Sequence, residues 1–203
     1  MPKLTKAVNA LFPTLVLEYD LRDFYDKQHL RSIIHDNTKN KDVCLDGTHG
    51  LFPDTWSSYT YNRNVLKPFP TLRKEIMNCI NNYCYIAGFK EQALKESWYN
   101  ISKAGASVDK HKHSSCNISA TFYPVFNDGS SNLIVWRELP HNMKPANQFS
   151  STVKEQTDYT IEKFELNIKE GHLYVWPAWL RHSAEPNQSN ERLMIGINTV
   201  NKS

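Results

Sequence analysis

From about Ser97 onward the apolar residues of this chain recur every second position, and that change of period limits the fold more than any other feature. The runs SWYNIS, NISATFYP, NLIVWRE, FELNI, HLYVW and RLMIGINTV are short, alternating and bounded by Gly, Pro, Asn or Ser. So many strands in so short a stretch predict a barrel or sandwich. Before Ser97 the pattern is helical or irregular. LRDFYDKQHLRSIIHDN sets Leu21, Phe24, Leu30, Ile33 and Ile34 on one helical face. FPTLRKEIMNCINNYCYIAGF sets Phe69, Leu72, Ile76, Ile80 and Tyr83 on another, with Pro70 near its start and Gly88 near its end. The expectation is a mainly β chain with flanking helices, one domain over 1–203. Residues 1–96 are its helical or irregular N-terminal region, and residues 97–203 are its β core.

Composition narrows the class of function. Lys and Arg number 24 against 21 Asp and Glu, a net charge of +3, and no basic run accompanies it, so nucleic acid is not an expected partner. No stretch is long and apolar enough for a membrane helix, and the first twenty residues lack the apolar core of a signal peptide. Cys44, Cys79, Cys84 and Cys116 form no CxxC pair. They read as reduced thiols of a cytoplasmic protein, with Cys79 and Cys84 on a helix face. The polar connection 139–163 has the length of a lid or a mobile segment.

The chemistry concentrates in DKHKHSSCN. His111 and His113 are separated by one residue, so on a strand both imidazoles point to one side. They share either a bound atom or a solvent-facing surface. If the strand continues unbroken, His111, His113, Asn117, Ser119, Thr121 and Tyr123 face one way and Cys116, Ile118, Ala120 and Phe122 the other. The polar row then faces either water or the mouth of a barrel.

His182, in EGHLYVWPAWLRHSAEPN, is the candidate third ligand, and three such donors on one face of a metal would leave positions open for other ligands. Asp109 and Glu138 are reserve acidic ligands. His29, His35, His49, His141 and His172 read as surface or structural residues. Ten residues past His182 comes Arg192, which alternation places with Met194, Gly196 and Asn198 opposite Leu193, Ile195 and Ile197. An inward guanidinium needs an anion, and its fork suits a carboxylate. Without a metal, Arg192 reads as an exposed strand end. Gly196 would leave room where a ligand approaches the sheet.

These residues resemble the 2-oxoglutarate- and Fe(II)-dependent dioxygenases, and most closely a small bacterial and phage family of such oxygenases related to prolyl hydroxylases. The resemblance runs through LFPTLV, DGTHGLFPDTWSSYTY, WYNISKAGASVDKHKHSS, SATFYP and LYVWPAWLRHSAEPNQSNERLMIGIN. It implies a double-stranded β-helix, a jelly-roll or cupin-like core with the N-terminal helices packed against it. It also implies Fe(II) held by His111, His113 and His182, with Arg192 binding 2-oxoglutarate. Asn117, Ser119, Tyr123 and Asn198 are further candidates to touch that co-substrate or the ligating histidines. The broader superfamily carries HxD or HxE where this chain has His111-Lys112-His113, so the metal would keep its full charge.

The activity implied is hydroxylation of an unactivated C–H bond with 2-oxoglutarate and O2, giving succinate and CO2, with ascorbate as an optional stimulant. The prime substrate, a protein side chain or a small molecule, is undetermined, and a homodimer is admitted but not required. Trp176 and Trp179 are candidates to shape the entrance. Two alternatives stand beside this reading: a three-histidine cupin-type oxygenase that ignores 2-oxoglutarate, and a non-catalytic β-helix module that binds a metal or an anion.

Overall fold

A computed structural model describes residues 13–38, 55–138, 157 and 160–202. The strands are β1 (Leu17–Asp20), β2 (Thr55–Ser57), β3 (Gln92–Ser102), β4 (Val108–His111), β5 (Ile118–Phe126), β6 (Leu133–Trp136), β7 (Lys163–Leu166), β8 (His172–Pro177), β9 (Arg181–Ala184) and β10 (Arg192–Asn201). Two helices, α1 (Lys27–Thr38) and α2 (Pro70–Ala87), precede β3. The strands form a major antiparallel sheet ordered β1-β8-β5-β10-β3-β2 and a minor one ordered β4-β9-β6-β7. This is the expected jelly-roll with helices on its flank. The expected lid over 139–163 falls almost wholly outside the described residues, as do Cys44, His49 and His141.

The helices cover one face of the major sheet. Leu72, Ile76, Ile80 and Tyr83 of α2 pack in one cluster with Tyr99, Ile101, Phe122, Leu173, Val175 and Leu193, Ile195, Ile197. Helix α2 starts at Pro70, whose missing N–H costs nothing in a first turn. It ends at Gly88, where φ is 75° and the left-handed conformation is free of Cβ strain. Cys79 and Cys84 are buried on its inner face, and burial pushes both thiols up to about 11.

The first helix is shorter than its periodicity predicts. A 3-10 turn over Arg22–Phe24 precedes it, and Phe24 is exposed rather than on the buried face. Asp26 causes the restart: its Oδ1 accepts the N–H of His29 at 3.0 Å, an N-cap bond that favours a helix beginning at Lys27.

The second correction concerns the histidine strand. β4 stops at His111 and β5 begins at Ile118, in the other sheet. Residues 112–117 cross between the sheets instead of extending one strand. The crossing is pinned by hydrogen bonds from Asn117 N–H to Thr199 O at 2.9 Å and from Ala178 N–H to Asn117 O at 2.9 Å. Lys95 Nζ adds a bond to Ser115 O at 2.7 Å. Parity resumes in β5, with Ser119, Thr121 and Tyr123 turned toward the minor sheet, away from the helices.

Candidate metal centre

β4 and β9 are antiparallel neighbours in which His111 and His182 are directly opposed. That register brings their rings to a centroid separation of 4.3 Å. His113 lies past the end of β4, its N–H bonded to Ala178 O at 3.0 Å, and its ring centroid is 5.2 Å from each of the other two. One ligand atom from each of the three histidines lies within 4.8 Å of the others, a group that could hold a metal ion.

The protonation of this group suits a metal. His111 Nδ1 is 2.8 Å from Asp109 O and His182 Nδ1 is 3.0 Å from Leu180 O. Each Nδ1–H donates to a carbonyl, which leaves the Nε2 lone pair for coordination. Burial pulls the His111 imidazolium below its ordinary range. Burial, reinforced by repulsion from His111, takes His113 down to about 4 and His182 to about 3. At neutral pH all three rings are unprotonated. Asp109 and Glu138, the reserve ligands, are not in the group: Asp109 contributes its carbonyl to His111, and Glu138 accepts from Arg181 Nε at 2.8 Å.

A narrow cavity of about 30 Å³ joins these rings to Ser119, Tyr123, Trp176, Arg192 and Asn198. Arg192 is 2% exposed. Its Nη2 reaches Tyr123 Oη at 3.4 Å, its guanidinium carbon sits 5.2 Å from the Tyr123 ring centre, and its Nε has no partner. Among the described residues no carboxylate pairs with it. A buried guanidinium left like this is strongly unfavourable unless an anion completes it. Burial pushes the Tyr123 hydroxyl up, against the pull of the Arg192 charge, so it stays a neutral donor.

The remaining expected residues divide. Ser119 Oγ donates to Asn198 Oδ1 at 2.8 Å and Asn198 Nδ2 donates to Glu96 Oε1 at 2.9 Å, so Asn198 is oriented by a chain behind the cavity wall. Asn117 is not brought to the cavity. Its amide donates to Asn201 Oδ1 at 2.8 Å in a separate groove. Gly196 does leave room, but the space is filled from within: a Cβ there would stand 2.5 Å from Trp98 Cε2. His172 is structural, with Nδ1 2.7 Å from Glu18 Oε1. Trp176 lines the cavity with its ring 5.1 Å from His182, whereas Trp179 is 59% exposed.

Two cavity residues escape a reading of motifs. Asn100 and Trp98 stand on β3 opposite Met194 and Gly196, and both line the cavity. Among the described residues, Asn100 Oδ1 and Trp176 Nε1 are buried without partners, like Arg192 Nε. The signal available was the alternation of SWYNIS, which puts Trp98 and Asn100 on the face opposite Tyr99 and Ile101.

Comparison with known proteins agrees with this architecture. A Pseudomonas putida prolyl-4-hydroxylase superposes with a TM-score of 0.55 at 11% identity, covering 94% of each chain. The carbocyclase SnoK of nogalamycin biosynthesis, a non-heme alpha-ketoglutarate-dependent enzyme, gives 0.62 at 11% identity over 93% of this chain and 80% of its own. HygX from Streptomyces hygroscopicus, solved with nickel and 2-oxoglutarate bound, gives 0.55 at 11% identity over 93% and 84%. At these identities the likeness is one of fold. No curated protein matches the chain by sequence. Residues 96–198, which carry every histidine of the centre and Arg192, match the family model described as "Putative 2OG-Fe(II) oxygenase". This chain belongs to the 2OG-Fe(II) oxygenase family.

Proposed function

We propose that the protein is an Fe(II)- and 2-oxoglutarate-dependent hydroxylase acting on an unactivated C–H bond, with O2 consumed and succinate and CO2 released. The observation that carries the reading is the pairing, around one cavity, of three unprotonated imidazoles with a buried arginine that has no carboxylate partner among the described residues. His111, His113 and His182 would hold the metal through one nitrogen each, an all-neutral donor set that suits a divalent ion balanced by a dianionic co-substrate. When bound, the iron supplies the oxygen activation that no side chain can provide.

The protein's own residues then bind and orient. Arg192 receives the carboxylate of 2-oxoglutarate remote from the keto group, beside Tyr123, whose Oη accepts from Arg192 Nη2 and whose own O–H is left to donate. Asn198, fixed by Ser119 and Glu96, keeps its side of the wall in place. Trp98 and Trp176 exclude water. The cavity of about 30 Å³ is smaller than 2-oxoglutarate requires, so side chains must swing on binding. Met194, unbranched and flexible, is the wall residue best suited to yield.

Purified protein supplied with Fe(II), 2-oxoglutarate and O2 should release succinate, and ascorbate is expected to raise the rate. Arg192→Ala should suppress that release, and His182→Ala should abolish metal binding in calorimetry. Equal succinate release by Arg192→Ala would remove the proposed role of that arginine. Oxygen uptake independent of 2-oxoglutarate would point to the three-histidine cupin-type reaction.

A further inference from the structure

His113 is a wall shared by two spaces. On one side lies the cavity just described; on the other a groove of about 550 Å³, open to solvent. The groove runs between the exit of α2 (Gly88, Phe89, Lys90), the crossing segment with the first residue of β5 (Ile118), and the end of β8 (Pro177) with Trp179 beyond it. Its volume falls in the range of small-molecule sites.

The floor is rigid and uncharged. Gln92, Asn117 and Asn201 satisfy one another, with Gln92 Nε2 donating to Asn201 Oδ1 at 3.0 Å and Asn117 Nδ2 to Gln92 Oε1 at 3.3 Å. The rim is neither. Phe89 and Trp179 present aromatic surface to solvent, 48% and 59% exposed. The only charged side chains lining the groove among the described residues are Lys90 and Lys112. The nearest acid in sequence, Glu91, is held by Lys202 at 2.6 Å. Two exposed aromatic side chains and two cations lining one groove, with no lining carboxylate among the described residues, form a complement to one chemistry: a flat apolar ring bearing a negative charge.

We propose that this groove is the recognition site for the prime substrate, and that the substrate is a small aromatic anion. The ring lies against Trp179 and Phe89, the acidic group faces Lys90 and Lys112, and the remainder of the molecule passes the edge of His113 to the metal. This rests on the oxygenase reading for the identity of the reaction, but not for the binding itself.

Indole-3-acetate and its neutral isostere indole-3-acetamide serve as probes, titrated by calorimetry into the zinc-substituted full chain. The acid should bind about fivefold more tightly than the amide, the worth of exposed ion pairing, and lose that advantage as salt is raised. The double variant Lys90→Ala/Lys112→Ala should bind acid and amide alike, and Trp179→Ala should weaken both. Equal affinity for acid and amide in the wild type, no binding of either, or undiminished preference in the double lysine variant would overturn the proposal. Succinate release by the wild type is measured separately. Its absence, with charge-selective binding intact, would sink the oxygenase reading and leave the groove standing; its presence without charge selectivity would sink the groove alone.

Discussion

The two faces of the major sheet are built from the same strands by opposite rules. Toward the helices, Leu193, Ile195 and Ile197 of β10 meet Phe122, Leu173 and Val175 in a wholly apolar, fully buried layer. Toward the minor sheet the alternate residues of those strands are Arg192, Asn198, Ser119, Tyr123 and Trp176, equally hidden from solvent. The first face is finished by the chain itself. The second keeps Arg192 Nε, Asn100 Oδ1 and Trp176 Nε1 without partners among the described residues. Buried polar groups are almost always satisfied in folded proteins, so three exceptions around one cavity support the ligand site proposed above. Burial therefore has two meanings here: on one face it stabilises, and on the other it prepares a site at the expense of stability.

The contrast is broken most sharply by one substitution on each face. Ile195→Ala should lower unfolding free energy by about 2–5 kcal/mol in urea titrations, because the helices and sheet cannot close the void. Arg192→Met, its near neighbour on the other face, should leave the urea midpoint equal or higher, since a buried charge with no carboxylate partner among the described residues is removed. The same variant should lose at least about a hundredfold in affinity for 2-oxoglutarate. An Arg192→Met protein as unstable as Ile195→Ala would mean that the two faces are not different in kind.

The histidine cluster gives the cavity face a pH dependence that the apolar face lacks. In the folded, metal-free protein His113 titrates near about 4 and His182 near about 3, while an unfolded histidine titrates near about 6.5. Below the unfolded value the open chain binds protons that the folded chain refuses, so unfolding becomes easier as pH falls. The stability of the metal-free protein should be level above about pH 7 and decline by roughly a few kcal/mol on the way to pH 4. Replacing His113 and His182 together by Asn should flatten that slope, as read from unfolding midpoints across the pH range. A slope unchanged in the double variant would assign the effect to other groups.

Much of this arrangement could be read before any coordinates. The six period-two runs are strands, the face of α2 is buried as its spacing predicts, and the alternation in RLMIGINTV separates Arg192 and Asn198 from Leu193, Ile195 and Ile197. Those features are legible because each is a local repeat enforced by a single buried face. The strands that escaped, β1, β2, β4 and β9, are three or four residues long, and β2, β4 and β9 each hold a single apolar residue, so no apolar period marks them. Two of those four carry His111 and His182. Their approach depends on the register between β4 and β9, which comes from pairing across some seventy residues of chain and leaves no local mark. The departure of the chain from β4 into the other sheet at 112–117 is equally silent. Its consequence is that Asn117, placed by parity beside His113, faces the outer groove instead.

Gly196 tests the same boundary on a smaller scale. It lies on the cavity side of β10, opposite Trp98 on β3 and Thr121 on β5, and the indole of Trp98 lies across it. The missing side chain serves packing of the cavity wall, so the inner face is not uniformly unfinished. Gly196→Ala would place a methyl group 2.5 Å from Trp98 Cε2 and force the indole, whose ring centre is 5.9 Å from that of His113, off its seat. The expected cost is about 1–3 kcal/mol of stability in urea titrations, typical of an overpacked interior. Trp98→Leu should absorb much of that cost, so the double variant should fall short of the sum of the two single changes, the mark of contacting residues. A fully additive pair would mean that Trp98 does not rest on Gly196 in solution, and that the wall beside His113 is looser than the packing implies.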